Sequence, residues 1–256
     1  MAKFNHSAPS SSKASALLFY GRHPVTAAIY NSRRKISSLY ATKETAEELK
    51  ELCLKAKRDP SLIKIIERKD FDKFLPADAV HQGFAATVKA LETYSLEDIC
   101  ELADTKQDCH LLILDQVTDP QNIGAIIRSC VAFDTLALIV QDKNSPTESG
   151  AMAKASAGMI EYLPVVRVTN LSRATEILKK AGFWIVGMDG YATTTIDKLN
   201  KSGKTAIIMG SEGKGMRRLV EESCDTTVRL PISERVESLN VATAAAITLY
   251  ELNKRS

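Results

Sequence analysis

The second half of the chain alternates apolar, strand-like runs with segments of helical spacing. The strand-like runs are HLLILDQV, ALIVQ, LPVVRV, FWIVGM, TAIIMG and TTVRLPI, and helical patterns at 121–134, 147–158 and 170–182 separate the first four of them. Apolar runs that recur between helices are typical of parallel strands covered on both faces. Ligands bind such sheets beyond the carboxyl ends of the strands. The sequence therefore predicts a parallel α/β sheet with a functional site at that edge.

A shorter alternation in residues 17–90 predicts a second, smaller α/β unit. Pro24 favours a helix that runs to Tyr30, residues 37–42 read as a strand, and residues 44–57 repeat apolar side chains at helical spacing. The runs LIKIIER and GFAATV supply two more strands. Because 256 residues exceed the roughly 100–200 residues of one ordinary core, two domains are expected.

The junction between the two units is predicted at residues 91–108, which carry six acids against one Lys. Ser95 and Asp98 form a capping-box pattern, so this linker includes one short helix. The Ser- and Ala-rich residues 1–16 are predicted to be a disordered tail, with a short organellar transit peptide as the alternative. The predicted divisions are therefore 1–16, 17–90, 91–108 and 109–256.

Charge is distributed unevenly, although the net charge is only +3. The first Asp or Glu is Glu44, and every charged residue before it is basic. Such a surface attracts phosphates, and the alternative is an ordinary solvated face. The candidate contacts to nucleic acid phosphates are Arg22, Arg33, Arg34 and Lys35.

The cysteines and the hydropathy exclude several classes of protein. The five cysteines are scattered, with no C-x-x-C pair and no clustered histidines, so neither a disulfide framework nor a metal site is expected. Dispersed thiols fit a reducing compartment and hence the cytoplasm. No apolar run approaches the roughly 20 residues that span a bilayer, so we expect a soluble protein without a membrane partner.

The first of three notable blocks is NIGAIIR at 122–128, which follows the strand HLLILDQV. A helix is predicted to begin near Gln121 and to bury a stripe that leaves Arg128 outside it. Gly124 and Ala125 lie one turn before Arg128, and their small size is predicted to let a substrate backbone approach. The alternative is a solvated Arg128 on a helix that Asn122 caps.

The second and third blocks are MGSEGKGM at 209–216 and LPISERVESLNVATAAA at 230–246. The second places three glycines in a strand-to-helix loop. It matches neither G-x-G-x-x-G nor the P-loop, which argues against a nucleotide-dependent dehydrogenase or NTPase, and a simple surface turn is the alternative. The third is a polar loop followed by an Ala-rich helix that Ser238 or Asn240 begins.

In order and spacing the three blocks resemble the motifs of the SpoU/TrmH family. The resemblance implies transfer of a methyl group from S-adenosyl-L-methionine to a ribose 2′-hydroxyl of RNA. It also implies a homodimer and a fold with a small N-terminal α/β substrate-binding domain and a C-terminal SPOUT α/β domain with a parallel sheet and a deep trefoil knot. YGRHPVTAA at 20–28 and HQGFAA at 81–86 are similar to landmarks of the substrate-binding domain. This layout is most similar to members that methylate a guanosine of 23S rRNA, with tRNA methylation or a non-catalytic RNA-binding factor as the alternatives.

The resemblance also implies roles for individual residues. Arg128 occupies the catalytic position. Because a guanidinium is a poor base, we expect it to clamp the RNA phosphate and ribose and to ease deprotonation, with Asn122 orienting it or the ribose. Glu212 is expected to be a structural hydrogen-bond partner of neighbouring loops. The implied catalytic set is Arg128, Asn122, Glu212, Ser238 and Asn240, and the implied methyl-donor contacts are Gly210, Leu230 and Leu239.

Overall fold

The computed structural model describes residues 16–254, which form two α/β units, each built on its own sheet. The tail predicted for residues 1–16 lies outside the described residues, apart from Ala16. The first unit has a four-stranded sheet in the order β1-β4-β2-β3, in which only β2 and β3 are parallel. Its elements are β1 (Leu17–Tyr20), α1 (Arg22–Tyr30), β2 (Ile36–Ala41), α2 (Ala46–Lys55), β3 (Ile63–Ile65), α3 (Arg68–Phe71) and β4 (Phe84–Val88).

The second unit has a six-stranded sheet in the order β10-β8-β9-β5-β6-β7, and every pair in it is parallel. The prediction of a parallel sheet is therefore confirmed. Its strands are β5 (Cys109–Leu114), β6 (Ala137–Gln141), β7 (Val165–Val168), β8 (Trp184–Met188), β9 (Lys204–Met209) and β10 (Thr226–Val228). Its helices are α4 (Leu96–Asp104), α5 (Pro120–Ala132), α6 (Gly150–Ala155), α7 (Leu171–Lys180), α8 (Arg218–Glu221) and α9 (Val241–Asn253).

The sheet of the second unit is covered on both faces, which explains its apolar strands. Successive strand residues point to opposite faces, so Leu112 and Leu114 of β5 join the core beneath α5 and α9. Leu111 and Ile113 join the core beneath α4 and α7. The β5 strand ends at Leu114, three residues before the end of the predicted run HLLILDQV at Val117, although Asp115 N still donates to Met209 O of β9 at 2.8 Å.

The acidic linker contains the short helix that the capping box predicts. The Ser95 hydroxyl accepts a hydrogen bond from Asp98 N at 3.1 Å, and the Asp98 carboxylate accepts one from Ser95 N at 2.8 Å. Ile99 is fully buried in the core of the second unit, so the helix packs on that unit. Within residues 16–254 no helix has the length and apolar character that crossing a membrane requires.

Candidate active site

A cavity of about 740 Å³ opens where β8, β9 and β10 end, at the carboxyl edge of the parallel sheet. This is the edge at which the sequence predicts a functional site. Both of the later blocks contribute to its wall. The lining includes five of the residues that the sequence analysis singles out, namely Gly210, Glu212, Leu230, Ser238 and Leu239.

The MGSEGKGM block forms a closed loop on one side of this cavity. Ser211 and Gly215 exchange two backbone hydrogen bonds, of 3.1 and 2.9 Å. A Cβ atom on Gly210 would lie 2.1 Å from the carbonyl carbon of Gly215 and 2.3 Å from Met216 N. Gly213 has a φ of +79°, a conformation that favours glycine. Gly210 is therefore required by the closure of the loop and Gly213 by its backbone conformation, and residues 212–215 form the exposed tip of the loop.

Asp115 and Arg217, which the sequence analysis missed, anchor the far end of that loop. Asp115 is fully buried and follows β5. Its carboxylate accepts hydrogen bonds from Arg217 N and Arg217 Nε, both at 2.8 Å, and Arg217 Nη2 also donates to Gln141 at 3.1 Å. An acid placed directly after the apolar run 111–114 is a signal that could have identified Asp115, because a buried carboxylate requires partners.

Asn240 joins the third block to the first. Its Oδ1 caps α9 by accepting hydrogen bonds from Ala242 N at 2.9 Å and Thr243 N at 3.3 Å, so Asn240 rather than Ser238 begins the helix. Its Nδ2 donates to Asn122 Oδ1 at 3.0 Å. Asn122 lies inside α5 and does not cap that helix, because Asp119 does so by accepting from Gln121 N at 2.9 Å.

Arg128 is exposed on α5, six residues after Asn122, which corresponds to a rise of about 9 Å along the helix. Within residues 16–254 its guanidinium has no hydrogen bond or ion pair, and it does not line the cavity. The prediction that Gly124 opens the helix surface to a substrate is wrong. A Cβ atom there would lie 2.5 Å from Ala155 Cβ and 2.8 Å from Met152 O, so Gly124 permits close packing of α5 against α6.

Glu212 and Ser238 are exposed at the rim of the cavity. Neither side chain has a hydrogen-bond partner in the described part of the chain, so the structural role expected of Glu212 stays a prediction. Leu230 and Leu239 are half-buried and give the cavity an apolar wall. Tyr191, whose side chain is 91% exposed, also lines the cavity and was not identified from the sequence.

The four basic candidates of the first unit differ sharply in their surroundings. Arg33 and Lys35 are exposed, and Arg33 lies over the ring of Tyr94, 5.1 Å from its centroid, and donates to its hydroxyl. Arg22 pairs with Glu48 at 2.6 Å. Arg34 is only 1% exposed and pairs with two carboxylates of the second unit. The prediction that Arg34 contacts phosphate is therefore wrong, because its charge is already neutralised inside the protein.

The described residues bring no three His, Cys, Asp or Glu side chains into an arrangement that could hold a metal ion. All five cysteines are free thiols in the structure. Burial raises the pKa of Cys130 and of Cys224 to about 12. These two thiols therefore carry no thiolate at neutral pH and are poor nucleophiles and metal ligands.

Two family models match the chain, one for each unit. The model described as SpoU rRNA Methylase family matches residues 110–250, and the model described as RNA 2′-O ribose methyltransferase substrate binding matches residues 18–94. Among curated relatives, the 23S rRNA (guanosine-2′-O-)-methyltransferase RlmB of Pseudomonas syringae is 38% identical over 240 residues, which cover 93% of this chain and 95% of the relative. RlmB of Shewanella oneidensis is 38% identical over 235 residues, covering 91% and 95%.

Solved structures show the same fold. The SpoU methyltransferase AviRb from Streptomyces viridochromogenes, crystallised in complex with the cofactor AdoMet, superposes with a TM-score of 0.80 at 24% identity, over 94% of this chain and 91% of that one. The family models cover both sheets, and the relatives extend over nearly the whole chain. The chain belongs to the SpoU rRNA methylase family.

Proposed function

We propose that this protein is an enzyme that transfers a methyl group from S-adenosyl-L-methionine to a ribose 2′-hydroxyl of RNA, with a guanosine of 23S rRNA as the substrate. The observation that carries the proposal is the convergence of the three blocks. The second and third blocks line one cavity, and the Asn240–Asn122 hydrogen bond of 3.0 Å ties the first block, which bears Arg128, to the third. The 23S rRNA activity of the RlmB relatives supports the choice of substrate.

The cavity suits the methyl donor in size and in chemistry. Its volume of about 740 Å³ falls within the usual range of small-molecule sites, roughly 300–1,000 Å³. Leu230 and Leu239 offer apolar contact to an adenine ring, and the Gly210 loop presents backbone polar groups. The AdoMet complex of AviRb supports the same cofactor here. When bound, S-adenosyl-L-methionine supplies an electrophilic methyl group on a sulfonium.

The residues of the first block act on the RNA. Arg128 is exposed and has no partner among residues 16–254, so its guanidinium is available to a phosphate or a ribose. A cation beside the 2′-hydroxyl favours loss of its proton as negative charge develops on the oxygen. Asn122, held by Asn240, lies near the start of the same helix and fixes that end of α5 to the third block. Ser238 and Glu212 lie at the rim of the cavity, where the ribose enters in this proposal.

The first unit binds RNA by contacts to phosphate, which position the substrate without reading its sequence. Arg33 and Lys35 are the exposed contacts, and Arg22 is a third once it exchanges Glu48 for a phosphate. We expect Arg33→Ala/Lys35→Ala to weaken RNA binding and to lower the slope of log affinity against log salt by about 2. Lys50→Ala/Lys55→Ala removes two exposed charges from α2 and serves as the control. An unchanged salt slope in the first variant would contradict the assignment.

The remaining features of the proposal follow the family. The substrate-binding domain is placed at 17–90, the linker at 91–108 and the catalytic domain, with its trefoil knot, at 109–256. A homodimer is supported by two large apolar side chains that α9 leaves exposed, Ile247 at 42% and Tyr250 at 54%. A stable dimer would bury both, and replacement of Ile247 by Glu should produce monomers in light scattering. We place the enzyme in the cytoplasm, where its RNA substrate is assembled.

The direct test is to incubate the purified protein with methyl-labelled S-adenosyl-L-methionine and, separately, unmodified 23S rRNA, 16S rRNA and bulk tRNA. Nuclease digestion and mass spectrometry then locate the label. Label on one 23S ribose supports the proposal, and label on tRNA retains the chemistry but refutes the substrate. Donor binding without transfer to any RNA or to precursor ribosomal particles would favour a non-catalytic RNA-binding factor.

A further inference from the structure

Arg34 is a buried cation at the contact between the two units. It belongs to the first unit, and its partners Glu148 and Glu161 belong to the second. Arg34 is 1% exposed and Glu161 is 3% exposed, so the pair is shielded from water. Neither the methyl-donor cavity nor the exposed basic surface includes these side chains.

The hydrogen bonds around this pair leave few polar atoms without a partner. Arg34 Nε donates to both carboxylate oxygens of Glu161, at 2.9 and 3.1 Å, while Nη1 donates to Lys89 O at 2.6 Å and Nη2 donates to Glu148. Asn31 Nδ2 donates to Glu161 Oε2 at 2.6 Å. Glu148 also accepts from Leu91 N in the linker, at 3.0 Å. The network therefore joins the first unit, the linker and the second unit.

Residues 148–161, here called the bridge segment, lie between the first unit and α5. Glu148 and Glu161 stand at its two ends, and α6 and a 3₁₀ turn at Met159–Glu161 lie between them. On one side α6 packs so closely on α5 that a Cβ on Gly124 would lie 2.5 Å from Ala155 Cβ. The bridge segment is therefore in direct contact with the helix that bears Arg128.

The other side of the bridge segment packs on the first unit with equally little space. A Cβ on Gly150 would lie 2.1 Å from Leu18 O of β1, and a Cβ on Gly158 would lie 2.6 Å from Ala27 Cβ of α1. Because not even a methyl group would fit at Gly150 or Gly158, the backbone of the bridge segment lies directly against β1 and α1. The two units thus meet through small residues on one face of this segment, and its other face packs on α5.

A buried ion pair is weak evidence for stability, but separating its partners is strongly destabilising, because an uncompensated charge is then left buried. Any rotation of the first unit away from the bridge segment would leave Glu161 and Arg34 buried without partners, or would expose them at the cost of the packing around them. Both alternatives are unfavourable, because an isolated buried charge is costly. The network therefore selects one orientation of the two units.

We propose that Arg34 is a positioning residue, which with Glu148 and Glu161 holds the RNA-binding unit in one orientation to α5 and so sets where bound RNA meets Arg128. This inference rests on the proposed function for its catalytic consequence. Its structural part, the fixed orientation, stands independently of the substrate. Arg34 contacts neither RNA nor donor in this arrangement and acts only through the bridge segment.

The main test variant is Arg34→Met/Glu161→Gln, which removes both buried charges together while keeping similar volumes. Arg34→Lys is the second variant, because it keeps the charge but lacks the fork that spans Glu161, Glu148 and a carbonyl. The matched control, Lys55→Met/Glu51→Gln, removes an exposed pair of 3.3 Å within α2 of the same unit. Thermal unfolding and circular dichroism verify that each variant is folded.

Two measurements on the full chain test whether Arg34 fixes the orientation of the units and positions the RNA. Small-angle X-ray scattering reports the orientation of the units, and we expect a larger maximum dimension and a broader distance distribution for both Arg34 variants but not for the control. Single-turnover methyl transfer to 23S rRNA at saturating RNA and donor reports positioning. We expect the rate constant of the double variant to fall at least tenfold and that of Arg34→Lys to fall less, while the dissociation constants of donor and RNA stay within twofold.

A merely structural role would lower the amplitude of methyl transfer through a smaller folded fraction and leave the rate constant unchanged, and this result would overturn the proposal. So would unaltered scattering of the folded double variant, or altered scattering with a wild-type rate constant. If the unsubstituted protein transfers no methyl group to any RNA, the proposed function fails and the positioning claim fails with it. The scattering then still supports or overturns the fixed orientation.

Discussion

Replacement of Gly210 by Ala should weaken binding of the methyl donor without unfolding the protein. The added Cβ would lie 2.1 Å from the carbonyl carbon of Gly215, whereas carbon atoms in contact prefer separations of about 3.5 Å or more. The backbone at 215–216 must therefore move by about 1.4 Å. It cannot do so while Ser211 and Gly215 exchange their two hydrogen bonds of 3.1 and 2.9 Å.

The size of the effect follows from those two hydrogen bonds. Each contributes about 1 kcal/mol net, so the closed loop is disfavoured by about 2 kcal/mol in the variant. If the donor binds only the closed loop, its affinity falls about 30-fold, since each 1.4 kcal/mol corresponds to a factor of ten. Global stability changes little, because Gly210 lies at the end of β9 and the strain is confined to the loop that follows it.

Isothermal titration calorimetry with S-adenosyl-L-methionine measures this affinity directly. Gly213→Ala is the matched control in the same loop: Gly213 has a φ of +79° and no atom within 4 Å of an added Cβ. Its left-handed backbone costs about 1 kcal/mol with Ala, or about fivefold in affinity. Wild-type affinity in Gly210→Ala, or an equal loss in both variants, would refute the argument from loop closure.

Three further predictions concern Arg128, Asn240 and Cys130. Arg128→Ala should lower the rate constant of methyl transfer at least about 100-fold in single-turnover kinetics. The dissociation constant of the donor, measured by calorimetry, should stay unchanged. Full turnover in this variant would refute the role of Arg128. Asn240→Ala removes both the α9 cap and the hydrogen bond to Asn122, which together contribute about 2 kcal/mol to the free energy of unfolding, so Tm should fall by about 4–8 °C. Asn240→Ser retains the cap and should recover half of that loss in Tm. Cys130 is fully buried and burial raises its pKa to about 12, so N-ethylmaleimide at pH 7.5 should leave it unmodified in the native protein. Rapid labelling of Cys130 in mass spectrometry would contradict this burial.

The parallel sheet and the position of the cavity could be predicted because their signals are local. The backbone conformation of a strand, a helix start or a tight loop depends on residues that are neighbours in the sequence. The apolar runs, the capping pair Ser95 and Asp98, and the glycine-rich loop are of this kind. The resemblance of the three blocks to the SpoU/TrmH family then supplied the chemistry. Leu230 and Leu239 line the cavity as that resemblance implies, although their contacts with the donor remain proposals.

The errors concern residues whose partners are distant in sequence. The basic neighbours of Arg34 indicate a contact with RNA, but its partner Glu161 lies 127 residues away. The helix around Gly124 indicates substrate access, whereas packing against α6 determines the role of this glycine. The acid that follows β5 indicates a buried carboxylate at Asp115 but not its partner Arg217, which lies 102 residues away. Charge pattern and periodicity carry no information about such pairings, which depend on the packed fold.

The donor cavity has two walls that differ in how firmly they are held, because the glycine loop on one side is anchored at both ends. On one side, Gly210 is confined by the backbone of 215–216 and Arg217 is bonded to buried Asp115, so this wall is rigid. On the other side, residues 231–239, all exposed except the half-buried Leu239, make only short-range hydrogen bonds before Asn240 fixes the chain again. Exchange of spent cofactor for fresh donor should therefore proceed by outward movement of 231–239, and amide hydrogen exchange should be fastest in that segment and should slow when the donor is bound.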